Sequence, residues 1–456
     1  MSVHAASSRL KVSGLCFLLQ MLLIILFAVF VRYSPDASPG LRSPQLNCSS
    51  RRNPGSGSYY PRSRNVCLQT LMGFGFLMVF LGRYSMGSVA ACLLVTTFAI
   101  QWALFIQGFI YSFQNGKIYM EAQSMVGADF CAGAVLVSVG AVLGWGNPLQ
   151  MLLLPLLEVP VFSANEYILL HVLGVRDSGG SLTVHTFGAY FGLTLSRFLR
   201  QHRADKREQQ QQDTGVEPWA ELNTYMAMAA STLATFVMSP LLREDGTPWM
   251  SQVQDATMAG AVMMGMAGEM LLAPFGALIA GFLAGLIPPL SSRFLAPVLL
   301  RKLGIRDARS VHGVHGVPGT LGTLLGTLLA ALATADTYGD RLQLAFPSVA
   351  DGSRTATYQA LCQLCALPIT LIFAVFGGSV TGVILKIKCL GSLDTPYLEK
   401  ETLRELVAKG CASTGRGDRP DCSGGTRRLG KQDVELEVAS QPRAVPRFPH
   451  TPLSEA

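Results

Sequence analysis

Charge is what this chain lacks. Of its 456 residues, 14% are charged, against about 25% in an ordinary soluble domain. That is too little polar surface to keep a chain of this length in water, which excludes a conventional soluble enzyme. Enzyme signatures are missing as well: there is no P-loop, HExxH, GxSxG or paired CxxC. Nothing therefore points to an ATP-driven pump or a membrane enzyme, and no cofactor or metal is called for. Ten cysteines are scattered through mostly apolar stretches, so no disulfide framework follows from them. The net charge of +7 resides in loops and a tail, where it bears on membrane topology rather than on nucleic acid.

Apolar residues are plentiful instead. Half the chain is hydrophobic, with 46 Gly and 17 Met, and mean hydropathy is +0.36. Small residues let membrane helices approach closely. A spanning helix needs about 20 mostly apolar residues. Stretches that qualify are 12–31, 66–84, 88–112, 124–144, 149–174, 181–199, 222–241, 253–270, 271–290, 314–335 and 358–388. The chain reads as an all-α polytopic membrane protein with about eleven spans. Residues 1–11 form a cytoplasmic N-terminus and 12–390 the membrane domain. Residues 391–456 form a disordered cytoplasmic tail, a candidate cytoskeletal anchor. The first stretch reads as a retained anchor because no small-residue cleavage site follows its long apolar run. Loop 33–63 carries the sequon Asn47-Cys48-Ser49 and reads as an external, glycosylated loop. Cys389, near Lys386 and Lys388, is a palmitoylation candidate, although an idle thiol is the plainer reading.

Loop charges expose a conflict. Arg197, Arg200, Arg203, Lys206 and Arg207 follow the sixth stretch, and Arg293, Arg301, Lys302, Arg306 and Arg309 follow the ninth. Positive loops face the cytoplasm, so both clusters ask for one side of the membrane. Three apolar stretches lie between them, and an odd number of crossings cannot return the chain to its starting side. Either one stretch fails to span, or a crossing is missing from loop 197–221, whose QQQQDTGVEPWAE run is too polar to supply it.

Ionisable groups inside spans are costly and mark function. His185 in SLTVHTFGAYFG and His315 in VHGVHGVPGTLG each follow a Val and precede a Gly by seven positions, Gly192 and Gly322. One such His in each half resembles the internally repeated plan of transporters. Two neutral imidazoles, each with one donor and one acceptor nitrogen, suit a dry lumen that passes a neutral hydride and disfavours a bare cation. The alternative is that both are helix-packing residues, and composition alone favours it. Asp177 is placed to cap the helix bearing His185. Glu166 lies within an apolar span, either structurally paired or drawing cations into a vestibule. Phe130, after Asp129, is a candidate pore constriction or simple packing. Asp255 and Glu269 look like helix-end markers, Cys362-x-x-Cys365 is an improbable metal site in an apolar span, and His171, His202, His312 and His450 show no constellation. The GxxxG spacing recurs at Gly188/Gly192, Gly281/Gly285, Gly322/Gly326 and Gly378/Gly382, a sign of tight helix packing.

Several of these strings resemble the Rh glycoproteins, the animal branch of the ammonium transporter superfamily. They are FAVFVRY (27–33), GFGFLMVFL (73–81), QWAL (101–104), ADFCAGAVL (128–136), NEYILLHVLGVRDSGG (165–180), HTFGAYFGL (185–193) and HGVPG (315–319). The NEYILLHVLGVRD run and FGALIAGFLAG (275–285) look most like type B members. The resemblance covers about 12–390. It implies a homotrimer in the plasma membrane, basolateral in epithelia, with one apolar pore per subunit. There ammonium gives up a proton and ammonia crosses a lumen lined by two hydrogen-bonded imidazoles. By motif position these are His185 and His315, Phe130 is the outer pore phenylalanine, Asp177 the acid after the fifth family helix, and Asn47 the glycan acceptor. Ammonium and ammonia are the implied cargo, with carbon dioxide a second candidate. The family has twelve helices; the one missing here falls between Arg207 and Leu222 and would carry the second gating phenylalanine. RDARS (306–310) stands where the family usually has a DTCG-like string, Asp255 where it has Asn, and Gly82 where it often has Gln. The absent helix keeps a second function in view: a non-conducting assembly subunit or inactive truncated isoform.

Overall fold

The computed structural model describes residues 3–33, 86–120, 122–142, 148–199, 218–242, 250–270, 272–305, 307 and 310–387. Stretch 66–84, Asn47 and its loop, His202, most of the connection after the sixth stretch, Cys389, the tail 391–456 and His450 lie outside them.

Helices sit where the long apolar runs are. They are α1 (Val3–Phe30), α2 (Met86–Tyr111), α3 (Ala122–Val142) and α4, Pro148–Tyr167 continued by a π turn at Ile168–Val172. Next come α5, a π turn at Ser181–Thr186 continued by Phe187–Leu199, then α6 (Pro218–Leu241) and α7 (Met250–Ala267). The set ends with α8 (Pro274–Leu303), α9 (His312–Ala331) and α10 (Ala356–Leu385). Among the described residues six helices are long and apolar enough to cross a membrane: α2, α3, α4, α8, α9 and α10. Large apolar side chains such as Phe275, Ile279, Leu233 and Phe376 stay exposed on the bundle surface, as a lipid solvent requires.

Two expectations need correction. The ninth stretch does not stop at 290: α8 runs on to Leu303, carrying Arg293, Arg301 and Lys302 within helix. Long basic side chains near a helix end can reach polar surroundings from a helical backbone, so their charge does not require a loop. Asp255 does not end a helix; it lies inside α7 and is fully buried. The all-α reading holds, with a small three-stranded sheet beside the helices, β1 (Val31–Tyr33), β2 (Phe113–Gln114) and β3 (Lys117–Met120), in the order β1-β3-β2. Asn115 and Gly116 both have positive φ, 49° and 74°, the two-residue hairpin turn that an Asn-Gly pair favours.

The four glycine pairs sit where helices cross. A Cβ at Gly188 would lie 2.6 Å from the Ala134 carbonyl oxygen, and one at Gly192 2.7 Å from Ser138 Cα, so α5 packs on α3 backbone to backbone. Gly281 and Gly285 of α8 press on the Ala227 and Ser231 backbone of α6, and Gly322 of α9 meets Met263 of α7. Gly378 and Gly382 of α10 meet Phe191 and Phe198 of α5. One buried apolar cluster forms among α2, α3, α4, α5 and α10, and a second, methionine-rich one chiefly among α6, α7, α8 and α9.

Hydrogen bonds also fix which helix ends lie together. Arg197, near the end of α5, donates to the Leu303 carbonyl at the end of α8. Asn223, near the start of α6, donates to the Gly268 and Leu272 carbonyls beside the start of α8, at 3.1 and 3.4 Å. The end of α5 and the start of α6 therefore sit at opposite ends of α8, separated by roughly 45 Å of helix at about 1.5 Å per residue.

Candidate functional site

The two histidines flagged by spacing meet. His185 and His315 lie with Nδ1 atoms 3.2 Å apart, rings stacked at 5.1 Å between centroids and 12° between planes. They are 5% and 6% exposed. In an Nδ1–Nδ1 hydrogen bond one ring is the donor and the other the acceptor. The pair therefore presents, on its two Nε2 atoms, one acceptor and one donor edge to its surroundings.

Each imidazole is held by the same local device. Asp177, eight residues before His185, accepts at Oδ2 from the Leu182 and Thr183 amides, at 3.0 and 2.7 Å, and from the Thr183 hydroxyl at 2.9 Å. Asp307, eight residues before His315, accepts from the Val311 amide at 2.7 Å and the His312 amide at 2.9 Å. Both carboxylates satisfy helix-start N–H groups that have no intrahelical partner. Five residues before each His the backbone turns left-handed, at Gly180 (φ 72°) and Ser310 (φ 52°). From there Val184 donates to Gly180 and Val314 to Ser310, at 3.0 and 2.8 Å. A π turn then carries each His inward. The capping role expected of Asp177 is thus present, and the RDARS string hides its counterpart.

The elements α5 and α9 enter from opposite ends, and each places its His within about one turn of its carboxylate-capped helix start. Ser181 locks the α5 entrance against α7, donating to the Val262 carbonyl at 2.6 Å and accepting from the Met266 amide at 2.8 Å. Gly319 of α9 abuts Ser181 and Thr186, where a Cβ would meet the Ser181 carbonyl oxygen at 2.6 Å.

The remaining candidates are placed less centrally. Glu166 is structurally paired: Oε2 accepts from Gln107 Nε2 at 2.9 Å and Tyr111 OH at 3.2 Å, tying α4 to α2. Tyr111, Tyr167 and His171 stack beside it, with centroids 4.8 to 5.9 Å apart, so His171 has a setting that its isolated codon position conceals. Phe130 is partly exposed and packs against the apolar cluster of α2 to α5. Cys362 and Cys365 are free thiols. Among the described residues no group of His, Cys, Asp or Glu has metal-binding geometry.

Sequence reading missed what holds Asp177. The loop before it is stitched to the start of α10. Arg354 donates to the Leu173 carbonyl at 2.6 Å and Gln359 to the Gly174 carbonyl at 2.9 Å. The Gln363 amide exchanges two hydrogen bonds with the Arg176 backbone, at 3.2 and 3.3 Å. Polar residues in an otherwise apolar span were the only available signal.

Comparison with known proteins agrees with this architecture. The Ammonium Transporter Family description matches residues 63–217 and 209–392. Ammonium transporter Rh type B of Homo sapiens is 45% identical over 420 residues, covering 85% of this chain and 91% of that protein. Ammonium transporter Rh type B-B of Xenopus laevis is 44% identical over 425 residues, covering 86% and 92%. Because 420 aligned positions take in 85% of 456 residues, roughly thirty positions have no residue here, about one spanning helix and its turn. The two family segments meet at 209–217. Among solved structures, Rh50 of Nitrosomonas europaea, described with the Rhesus protein family of channels, aligns with a TM-score of 0.59. Its identity is 26%, over 78% of this chain and 98% of that one. Mep2 of Candida albicans shares the fold, with a TM-score of 0.52 at 16% identity over 76% and 85%. The chain is a multi-pass membrane protein that belongs to the ammonium transporter family, whose members are transporters and channels rather than enzymes.

Proposed function

We propose that this chain carries ammonium nitrogen across the plasma membrane as ammonia. The route is an apolar lumen in each subunit of a homotrimer, narrowed by Phe130 and lined by His185 and His315. The observation that carries this reading is the buried, stacked imidazole pair at which α5 and α9 meet. A dry site costs a bare cation its hydration, while a neutral hydride loses little and finds one donor and one acceptor. Ammonium gives its proton to bulk water on the Phe130 side, and ammonia takes one from bulk water beyond the pair. Glu166, bonded to Gln107 and Tyr111, braces α4 against α2 at the non-basic end of the bundle, and Asp177 and Asp307 hold the two imidazoles in register. Carbon dioxide, also small and neutral, is a second cargo on the same argument. In epithelia the basolateral face is the proposed address, with the tail 391–456 meeting the cytoskeleton.

The connection from α5 to α6 belongs to the same reading. Its ends lie at opposite ends of α8, the loop charges do not close, and the relatives have additional residues. These support a chain short by one crossing.

Uptake of methylammonium by cells expressing the chain, divided by its surface abundance, tests the proposal beside His185→Ala. Removing one imidazole leaves the other buried with an unpaired nitrogen, a cost of about 1–3 kcal/mol that corresponds to a loss of flux of about 5- to 150-fold. Uptake from the unaltered chain at the level of untransfected cells would favour the non-conducting subunit instead.

A further inference from the structure

The same two elements that bear the His pair hold a second pair of rings. Tyr190 lies five residues after His185 on α5, and His312 three residues before His315 on α9. Both displacements run toward the end where Arg197 meets Leu303, so this second level lies about 5–8 Å to the basic side of the imidazole pair. Tyr190 and His312 meet edge-to-face, with centroids 5.7 Å apart and planes at 73°. Both border the bare backbone of Gly316, where a Cβ would lie 3.2 Å from His312 Nδ1 and 3.5 Å from the Tyr190 hydroxyl. Within this closed arrangement His312 Nδ1 is buried with no hydrogen-bond partner. A buried polar atom without a partner is uncommon and asks for an explanation.

Resting on the twin-imidazole reading above, we propose that Tyr190 and His312 form an inner gate and a second ammonia site. The T-shaped ring contact closes the seam between α5 and α9 on the cytoplasmic side, and its opening uncovers His312 Nδ1 for ammonia leaving the His185–His315 pair. Any guest that follows the seam past that pair meets this level next. Ammonia matches it chemically, since it carries both a lone pair and N–H donors, and the hydroxyl and the imidazole nitrogen supply one donor and one acceptor. No proton need change hands at this step. The guest exchanges hydrogen bonds with the twin pair for hydrogen bonds with the gate, and then with cytoplasmic water. A quaternary cation such as tetramethylammonium, with neither lone pair nor N–H, has nothing to offer either group.

Nitrogen-15 NMR of the full chain in nanodiscs, with labelled histidine and titration with ammonia at alkaline pH, provides the test. Subtraction of the spectrum of His312→Phe identifies the resonance. His312 Nδ1 should shift saturably with ammonia and stay fixed with tetramethylammonium. In Tyr190→Ala, where water reaches the ring, it should already be displaced before titration. Flux per surface molecule in His312→Phe, which retains a ring and loses the nitrogens, should fall about two- to tenfold. If His185 and His315 respond to ammonia while His312 remains unmoved in both backgrounds, the gate is refuted and the twin-imidazole lumen stands. If none of the three responds, the lumen itself falls and the gate with it. Unchanged flux in His312→Phe likewise overturns the proposal.

Discussion

Single residues show how narrowly the site is built. The two halves repeat an acid, a left-handed turn, a π turn and a histidine, and they differ at the turn. Gly180 takes φ 72° at no steric cost, whereas Ser310 holds φ 52°, a conformation that costs a residue with a Cβ about 1–2 kcal/mol. Ser310→Gly should raise the stability of the purified chain by about 1 kcal/mol, read as a higher thermal midpoint, with the imidazole pair intact. An unchanged or lower midpoint would mean that the serine side chain earns its place through a contact not yet recognised. The sequence made His185, His315 and Asp177 visible because each stood as a rare polar residue at a telling distance from another. Asp307, Tyr190 and His312 were not visible. Asp307 was masked by basic neighbours in the RDARS string, and the ring pair exists only once α5 and α9 are laid side by side.

At the scale of elements, close approach between backbones organises the bundle. Gly281 and Gly285 allow α8 to rest directly on the carbonyls of α6, while a Cβ at Gly14 of α1 would meet nothing within 4 Å. Gly281→Val should therefore push α6 and α8 apart and abolish monodisperse elution of the purified chain, whereas Gly14→Ala should leave it unaltered. Normal elution of the valine variant would show that the helices have slack to spare. Spacing legible in the sequence located all four crossings, because a helix with small residues every fourth position has one face fit for close contact. Other elements were illegible for physical reasons. The continuation of α8 to Leu303 reads as a loop because Arg293, Arg301 and Lys302 are charged, although helical backbone tolerates such side chains near its ends. The Phe113–Met120 hairpin is too short to show alternation, and only Asn115-Gly116 betrays it.

For the molecule as a whole, topology is the unresolved strain. The end of α5 and the start of α6 lie at opposite ends of α8, and the sequence joining them, with its glutamine run, is too polar to read as a spanning helix. Folding should suffer accordingly. Most of the chain in expressing cells is expected to keep an immature, endoglycosidase H-sensitive glycan on Asn47, with a minority at the surface. Full maturation of that glycan would contradict the proposed loss of a crossing. The loop charges alone narrowed the question to a missing crossing or a stretch that does not span, since parity counts crossings without needing to know the fold.

The central claim is that an uncharged molecule passes the imidazole pair and ions do not. Simultaneous recording of ammonium-driven nitrogen uptake and membrane current, on the full chain in planar or supported bilayers, tests it most directly. The account predicts uptake with no current above that of His185→Ala, and the appearance of current when His315→Asp places a carboxylate in the lumen. One elementary charge moving with each nitrogen through the unaltered chain would contradict it.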